Sequence, residues 1–210
     1  MTSITHNHSS KPVNQKKRLR IVQAGAIVAA ALLLMAQPAW YDEGVTHEVI
    51  ELTGLSLIFL CVLGRLWSIL YVGGRKNDEL VTSGPYSLTR NPLYFFSTIG
   101  AVGIGLTFGS AILALALGSL TYLILHATAR GEAAFLADRF GAAYASYAKR
   151  TSLFWPNPFR YRDLAEVNFS PRVLKRTFFD ALYFLAVFPA VEFVEYLHTA
   201  HVFPTLISIY

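Results

Sequence analysis

The chain has 210 residues, 54% of them hydrophobic and 15% charged, against a charged share of about 25% in soluble domains. Its apolar residues gather in long runs rather than in amphipathic stripes, which excludes an ordinary soluble domain and predicts lipid as the solvent. The formal charge of +5 is a matter of topology, argued below, and requires no nucleic-acid partner. The single cysteine, Cys61, can form no internal disulfide, and the scattered histidines, with His6 and His8 in a polar tail, predict no metal site.

Residues 1–18 are polar, basic and aperiodic, the composition of a disordered tail. Leu19 to Pro38 is long enough to span a bilayer. Small residues follow it as they follow a signal peptide, but the long preceding tail and the later spans favour an uncleaved first helix. A short acidic link from Tyr41 to Glu48 leads to a second span, Val49–Val72, ended by Gly73 and Gly74. After the polar loop 75–91, two apolar runs, Pro92–Phe108 and Ser110–Ala127, meet at Gly109 and read as a tight helical hairpin whose tip only just reaches the far interface. The hydrophilic stretch 129–176 then precedes a final span near 177–200 and a short tail, 201–210. The expected architecture is all-α: a polytopic bundle of about five transmembrane helices, with a cytosolic amphipathic helix between spans four and five.

Positive charge sorts cleanly in this scheme. Five basic residues fall in the tail or just past it (Lys11, Lys16, Lys17, Arg18 and Arg20), three in the 75–91 loop and nine between Arg130 and Arg176, leaving Arg65 inside a span. Short loops rich in Lys and Arg are retained in the cytoplasm, so the N-terminus is expected to be cytosolic and the C-terminus outside. A bacterial inner membrane is favoured over the endoplasmic reticulum. Arg65 lies about two helical turns from the cytosolic end, where a snorkelling arginine is the simpler reading.

Two cytosolic segments hold enough polar side chains to build a site. In the first, Gly84-Pro85-Tyr86 forms a turn, and Arg90-Asn91-Pro92 sets a cation at the mouth of a helix opened by proline at its first position, with Tyr94 on the first turn. Such a helix start suits a carboxylate. In the second, Glu132, Leu136, Phe140, Tyr144 and Tyr147 recur at helical spacing and share one face. A carboxylate on an otherwise apolar and aromatic face is costly unless paired, which makes Glu132 a functional candidate. The alternative for both segments is interfacial: a snorkelling arginine and tyrosines among headgroups.

Together, from about Leu80 to Pro158, these segments resemble the membrane methyltransferase superfamily of isoprenylcysteine carboxyl methyltransferases and phospholipid N-methyltransferases. The family's Gly-x-Tyr and Arg-His-Pro-x-Tyr appear as Gly84-Pro85-Tyr86 and Arg90-Asn91-Pro92-Leu93-Tyr94. Its acidic pair, Phe-Gly, two tyrosines and basic-to-proline ending appear as Glu132, Phe140-Gly141, Tyr144, Tyr147, Lys149-Arg150 and Pro156. Asn91 stands where histidine is usual, and an amide hydrogen-bonds but does not titrate. Gly131 stands where one of the acidic pair is usual.

The resemblance implies an S-adenosylmethionine site in the cytosolic segments and a lipid or other lipophilic acceptor entering from the bilayer. Tyr86, Arg90, Asn91, Pro92, Tyr94, Glu132, Tyr144 and Tyr147 would bind the cofactor, Arg90 and Glu132 would also serve catalysis, and Arg150 would face the substrate. For an amine acceptor, the candidate proton acceptors are Glu132, Tyr94 and His126. Two other readings remain open: a sterol-reductase-like enzyme using NADPH, whose Asn-Tyr-x-Gly-Glu continuation is absent after Asn91, and a non-catalytic protein that keeps the scaffold.

Overall fold

The structure, a computed structural model, describes residues 36–38, 44–74, 78–200 and 207–209. Its helices are α1 (Gly44–Val72), the single turn α2 (Pro85–Leu88), α3 (Pro92–Thr107), α4 (Ala111–Arg150) and α5 (Pro171–Thr199), with one 3-10 turn at Pro158–Arg160. Ala36–Pro38 (β1) pairs in parallel with Ile207–Ile209 (β2). The protein is therefore a helical bundle with this one short strand pair outside it. The first expected span lies outside the described residues except for Ala36, Gln37 and Pro38, which form β1 instead of the end of a helix.

Among the described residues, three helices are long and apolar enough to cross a membrane: α1, α4 and the first 24 residues of α5. At 16 residues, α3 reaches only about 24 Å at 1.5 Å per residue, short of a hydrocarbon core of about 30 Å. Large apolar side chains turn outward along the long helices: Leu52 and Leu63 on α1, Leu115 and Leu123 on α4, Phe179 and Tyr183 on α5. In water such a surface would drive association; in lipid it costs nothing, and a membrane protein is the direct reading.

Lipid supplies no hydrophobic force between helices, so close packing must hold them together. The α1–α3 seam does this with small residues. A Cβ on Gly103 would lie 2.8 Å from the Gly54 carbonyl oxygen, one on Gly54 would lie 2.3 Å from the Thr107 backbone nitrogen, and one on Gly100 would meet Cys61 Sγ at 2.6 Å. The hairpin expected at Gly109 is present. Thr107 ends α3, Ser110 caps α4 by accepting from the Leu113 amide, and Gly109 takes φ 74°.

Two expectations change. The apolar run ending at Ala127 and the separate amphipathic helix after it are one helix, α4, 40 residues long. Polarity shifts at residue 128, but the helix runs on through Gly131, with no Pro there to stop the backbone. The break comes later, at Gly141, whose φ of 51° and ψ of −124° re-aim the last turns. Arg65 does not snorkel. It donates to Ser97 Oγ on α3, and its guanidinium lies 5.7 Å from the Phe184 ring centroid on α5, so it ties three helices together inside the bundle.

The glycine seam generates a stability prediction. Gly103→Val places side-chain atoms against the α1 backbone and should destabilise the fold by roughly 2 kcal/mol or more, seen as a lowered Tm in detergent and loss of the monodisperse peak. An unchanged melting profile would contradict the seam.

Candidate functional site

The two motif segments are joined by main-chain hydrogen bonds between the α1–α3 connection and the segment after α4. The Gly84 amide donates to the Arg162 carbonyl at 2.7 Å, the Arg90 amide to Ser152 at 2.9 Å and the Asn157 amide to Leu88 at 3.0 Å. Side chains complete the seam: Thr89 Oγ1 donates to the Phe154 carbonyl at 2.9 Å, Asn91 Nδ2 to the Leu153 carbonyl at 2.9 Å, and the Arg162 amide to Ser87 Oγ at 2.9 Å. Residues 151–164 thus form a strap under which α2 and the start of α3 are fixed. Gly84 is required at its end: its φ is 56°, and a Cβ would lie 2.3 Å from the Tyr71 ring.

Behind this seam lies a small pocket with an open mouth, walled by side chains from several elements. The helix start contributes Arg90, Asn91, Leu93 and Tyr94, the short turn contributes Tyr86, and α4 contributes Glu132, Ala133, Leu136, Tyr144 and Tyr147. Across the pocket Tyr94 OH donates to Glu132 Oε1 at 2.8 Å, joining α3 to α4. Arg90 Nη1 donates to Tyr144 OH at 2.9 Å, and Tyr147 OH donates to the Tyr86 carbonyl at 2.6 Å. Tyr86 is buried, and burial first, then the nearby Tyr147, Glu132 and Tyr94, pushes its phenol well above its ordinary value, so it stays neutral. Arg90 Nε is buried without a hydrogen-bond partner, an unmet donor in a pocket that also carries a carboxylate.

Of the residues expected to form the site, the pocket brings together Tyr86, Arg90, Asn91, Tyr94, Glu132, Tyr144 and Tyr147. Pro92 is buried behind it and faces an apolar recess with Phe95, Phe96, Pro156 and Pro158. Arg150 is elsewhere: it is exposed and lines a separate recess with Arg160 and Arg162, whereas Tyr144 and Tyr147 are buried and face the pocket. Phe140 lies on the predicted face but does not line the pocket, and His126 packs with Tyr122 and Phe154 in an aromatic cluster. Sequence reasoning missed Glu79, Leu80 and Val81, which close one wall; a second carboxylate just before the Gly-x-Tyr turn was the available signal for Glu79.

Two curated bacterial proteins align with nearly the whole chain. The cobalt-zinc-cadmium resistance protein CzcN of Cupriavidus metallidurans is 32% identical over 194 residues, 92% of this chain and 89% of that protein. The nickel-cobalt-cadmium resistance protein NccN of Alcaligenes xylosoxydans xylosoxydans is 31% identical over 192 residues, 91% and 89% respectively. Residues 51–143 match the phospholipid methyltransferase family. The chain belongs to that family, and with it to the isoprenylcysteine carboxyl methyltransferase-like membrane superfamily. No solved structure matches. The phospholipid methyltransferase match takes in Arg90, Tyr94 and Glu132 but stops before Tyr144, Tyr147 and the strap, so those pocket contributions rest on the geometry above.

The strap is anchored to α1 at Asp163, whose carboxylate accepts from Tyr71 OH and Tyr161 OH, each at 2.5 Å. These bonds, Tyr161 first, hold the carboxyl below its ordinary value. A depressed folded-state value means that the contribution is present above the unfolded value and lost as pH falls through the folded one. Asp163→Asn should therefore speed hydrogen exchange and proteolysis of residues 158–164 severalfold at neutral pH. The wild type should show the same loosening only below about 3.8, the ordinary value. Equal exchange in both proteins at pH 7 would refute the anchor.

Proposed function

We propose that the protein transfers a methyl group from S-adenosylmethionine to a lipophilic or membrane-borne acceptor: a carboxylate, amine or thiol. The single observation behind this reading is the pocket at the helix start, which is lined by both the unmet Arg90 Nε and the Glu132 carboxylate. That donor set fits the cofactor, which carries its own carboxylate together with hydroxyl and amine donors. Arg90 would hold the carboxylate, and Glu132, steadied by Tyr94, would accept from the hydroxyls or amine. The cofactor supplies an already activated methyl on a sulfonium. What remains for the chain is positioning and exclusion of water, and Leu93, Leu136, Tyr86 and Tyr147 form the apolar and aromatic walls that do so.

An amine acceptor must lose a proton. Of the three candidates, Glu132 and Tyr94 are at the pocket and hydrogen-bonded to each other, whereas His126 is not among the lining residues. We place the N-terminus in the cytosol on the charge sorting, and the protein in a bacterial inner membrane on that sorting and the bacterial relatives. The relatives' names speak of heavy-metal resistance, and a membrane-borne acceptor is compatible with that setting.

Isothermal calorimetry on the purified protein in detergent tests the reading. Wild type should bind S-adenosylmethionine, and Glu132→Ala should weaken binding about ten-fold or more, the loss of a charge-assisted hydrogen bond. Absence of wild-type binding removes the proposal, and binding of NADPH in its place would favour the reductase reading. Transfer of labelled methyl into a total lipid extract then names the acceptor class, and labelling of added soluble molecules alone would exclude a lipid.

A further inference from the structure

The strap carries a second concentration of charge that the pocket does not use. Arg150, Arg160 and Arg162 line one polar recess together with Thr82, Ser83, Ser87 and Thr151, on the far side of the 80–87 segment from the pocket. All three arginines are exposed. Arg160 Nη1 donates to the Arg150 carbonyl, which draws the head of one arginine to the backbone of another. The single acidic side chain in this recess, Asp163, is already occupied by two tyrosine hydroxyls and the Leu164 amide. Neither Arg150 nor Arg162 has an ion pair among the described residues. The three arginines of the recess thus outnumber its one carboxylate, which leaves exposed guanidinium groups ready to receive an anion from outside.

The aromatic side chains beside the recess say which anion. Phe154 and Trp155 return to the level of the spans: Trp155 lies 5.7 Å from the Tyr122 ring on α4 and 6.2 Å from Phe95 on α3. Tyr161 then meets Trp67, near the end of α1, at 6.0 Å. Residues 155–161 thus cross the start of α3, α4 at Tyr122 and the last turns of α1. Along this crossing Phe159 is 97% and Trp155 62% exposed, with Tyr161 and Leu164 also outward. Exposed aromatic side chains alternating with arginines at the ends of spans match the headgroup layer, where rings sit between chains and phosphates. A free soluble anion would account for the arginines but not for Phe159 and Trp155.

We propose that the Arg150–Arg160–Arg162 recess holds the phosphate of an anionic phospholipid, with Trp155 and Phe159 seated among the adjoining acyl chains. This fixes the strap to the bilayer surface. The inference rests on the recess alone and stands whether or not the neighbouring pocket transfers methyl groups.

The test uses the full chain carrying Trp40→Phe and Trp67→Phe, so that Trp155 is the one remaining tryptophan of three, in phosphatidylcholine nanodiscs. A minor fraction of the lipid is brominated, as phosphatidylglycerol or as phosphatidylcholine. Trp155 emission should be quenched severalfold more by the brominated phosphatidylglycerol, since each arginine at an anionic surface enriches the lipid about five-fold. Arg160→Gln/Arg162→Gln should abolish that preference, and Arg160→Lys/Arg162→Lys should keep it. Arg162→Gln alone is the control for folding, because the Arg162 main-chain bonds to Gly84 and Ser87 do not use its side chain; it should lower the preference with unchanged elution and circular dichroism. Equal quenching by the two lipids in the parent protein would overturn the proposal, as would a preference that survives the double Gln substitution. Millimolar inorganic phosphate that erases the preference would also overturn it, by showing a site for the free anion.

Discussion

Three main-chain hydrogen bonds, Gly84 to Arg162, Arg90 to Ser152 and Asn157 to Leu88, decide what the rest of this protein can do. They bind the short segment between α1 and α3 to a strap arriving from the far end of α4, and the pocket exists only where those pieces meet. Because the bonds use backbone groups, they fix position without consuming the side chains that line the pocket. Arg90 illustrates the division: its amide holds the strap while its guanidinium reaches Tyr144 and leaves Nε unmet. Glu132 gains its orientation differently, through the Tyr94 hydroxyl, which couples the start of α3 to α4 across the cavity. Tyr147, donating to the Tyr86 carbonyl, closes the third side.

The bilayer explains why such a site can sit on so sparse a scaffold. A soluble protein would need to bury its leucines and phenylalanines, and this one leaves them outward on α1, α4 and α5. Interior positions are spent on glycines that bring α1 and α3 into backbone contact and on Arg65, which is held by Ser97 and Phe184 instead of reaching for water. The short α3 follows from the same economy. Starting at Pro92 and ending at the Gly109 turn, it presents its first turn to the pocket.

Much of this was legible in the residues. Proline at the first position of α3, glycine at the hairpin and the stripe from Glu132 to Tyr147 are local signals with local causes, and each appears where it was expected, Phe140 excepted as a lining residue. What the sequence concealed is non-local or lies in the backbone. Pairing between residues 62 or more positions apart leaves no local pattern, so Asn91 reads as a ligand contact when its side-chain amide also holds the Leu153 carbonyl. Arg150, which the family resemblance set facing the substrate, lines a recess with Arg160 and Arg162, a grouping made by the path of the strap and not by any local pattern. The start of the long α4 was clear, but its continuity through residue 128 was not, since a change of polarity looks like a boundary when the backbone has no reason to stop. The count of spans has the same character: three long apolar helices are described, and the first expected span falls almost wholly outside the described residues.

The central claim is that the cofactor occupies the pocket assembled by the strap, against Arg90 and Glu132. Hydrogen–deuterium exchange of the full-length protein in nanodiscs, with and without saturating S-adenosylmethionine, tests it most directly. The account predicts added protection in the peptides spanning residues 79–94 and 130–147, with the recess at 158–164 unchanged. Protection confined to residues 158–164, or absent from both pocket segments while binding is saturated, would contradict it.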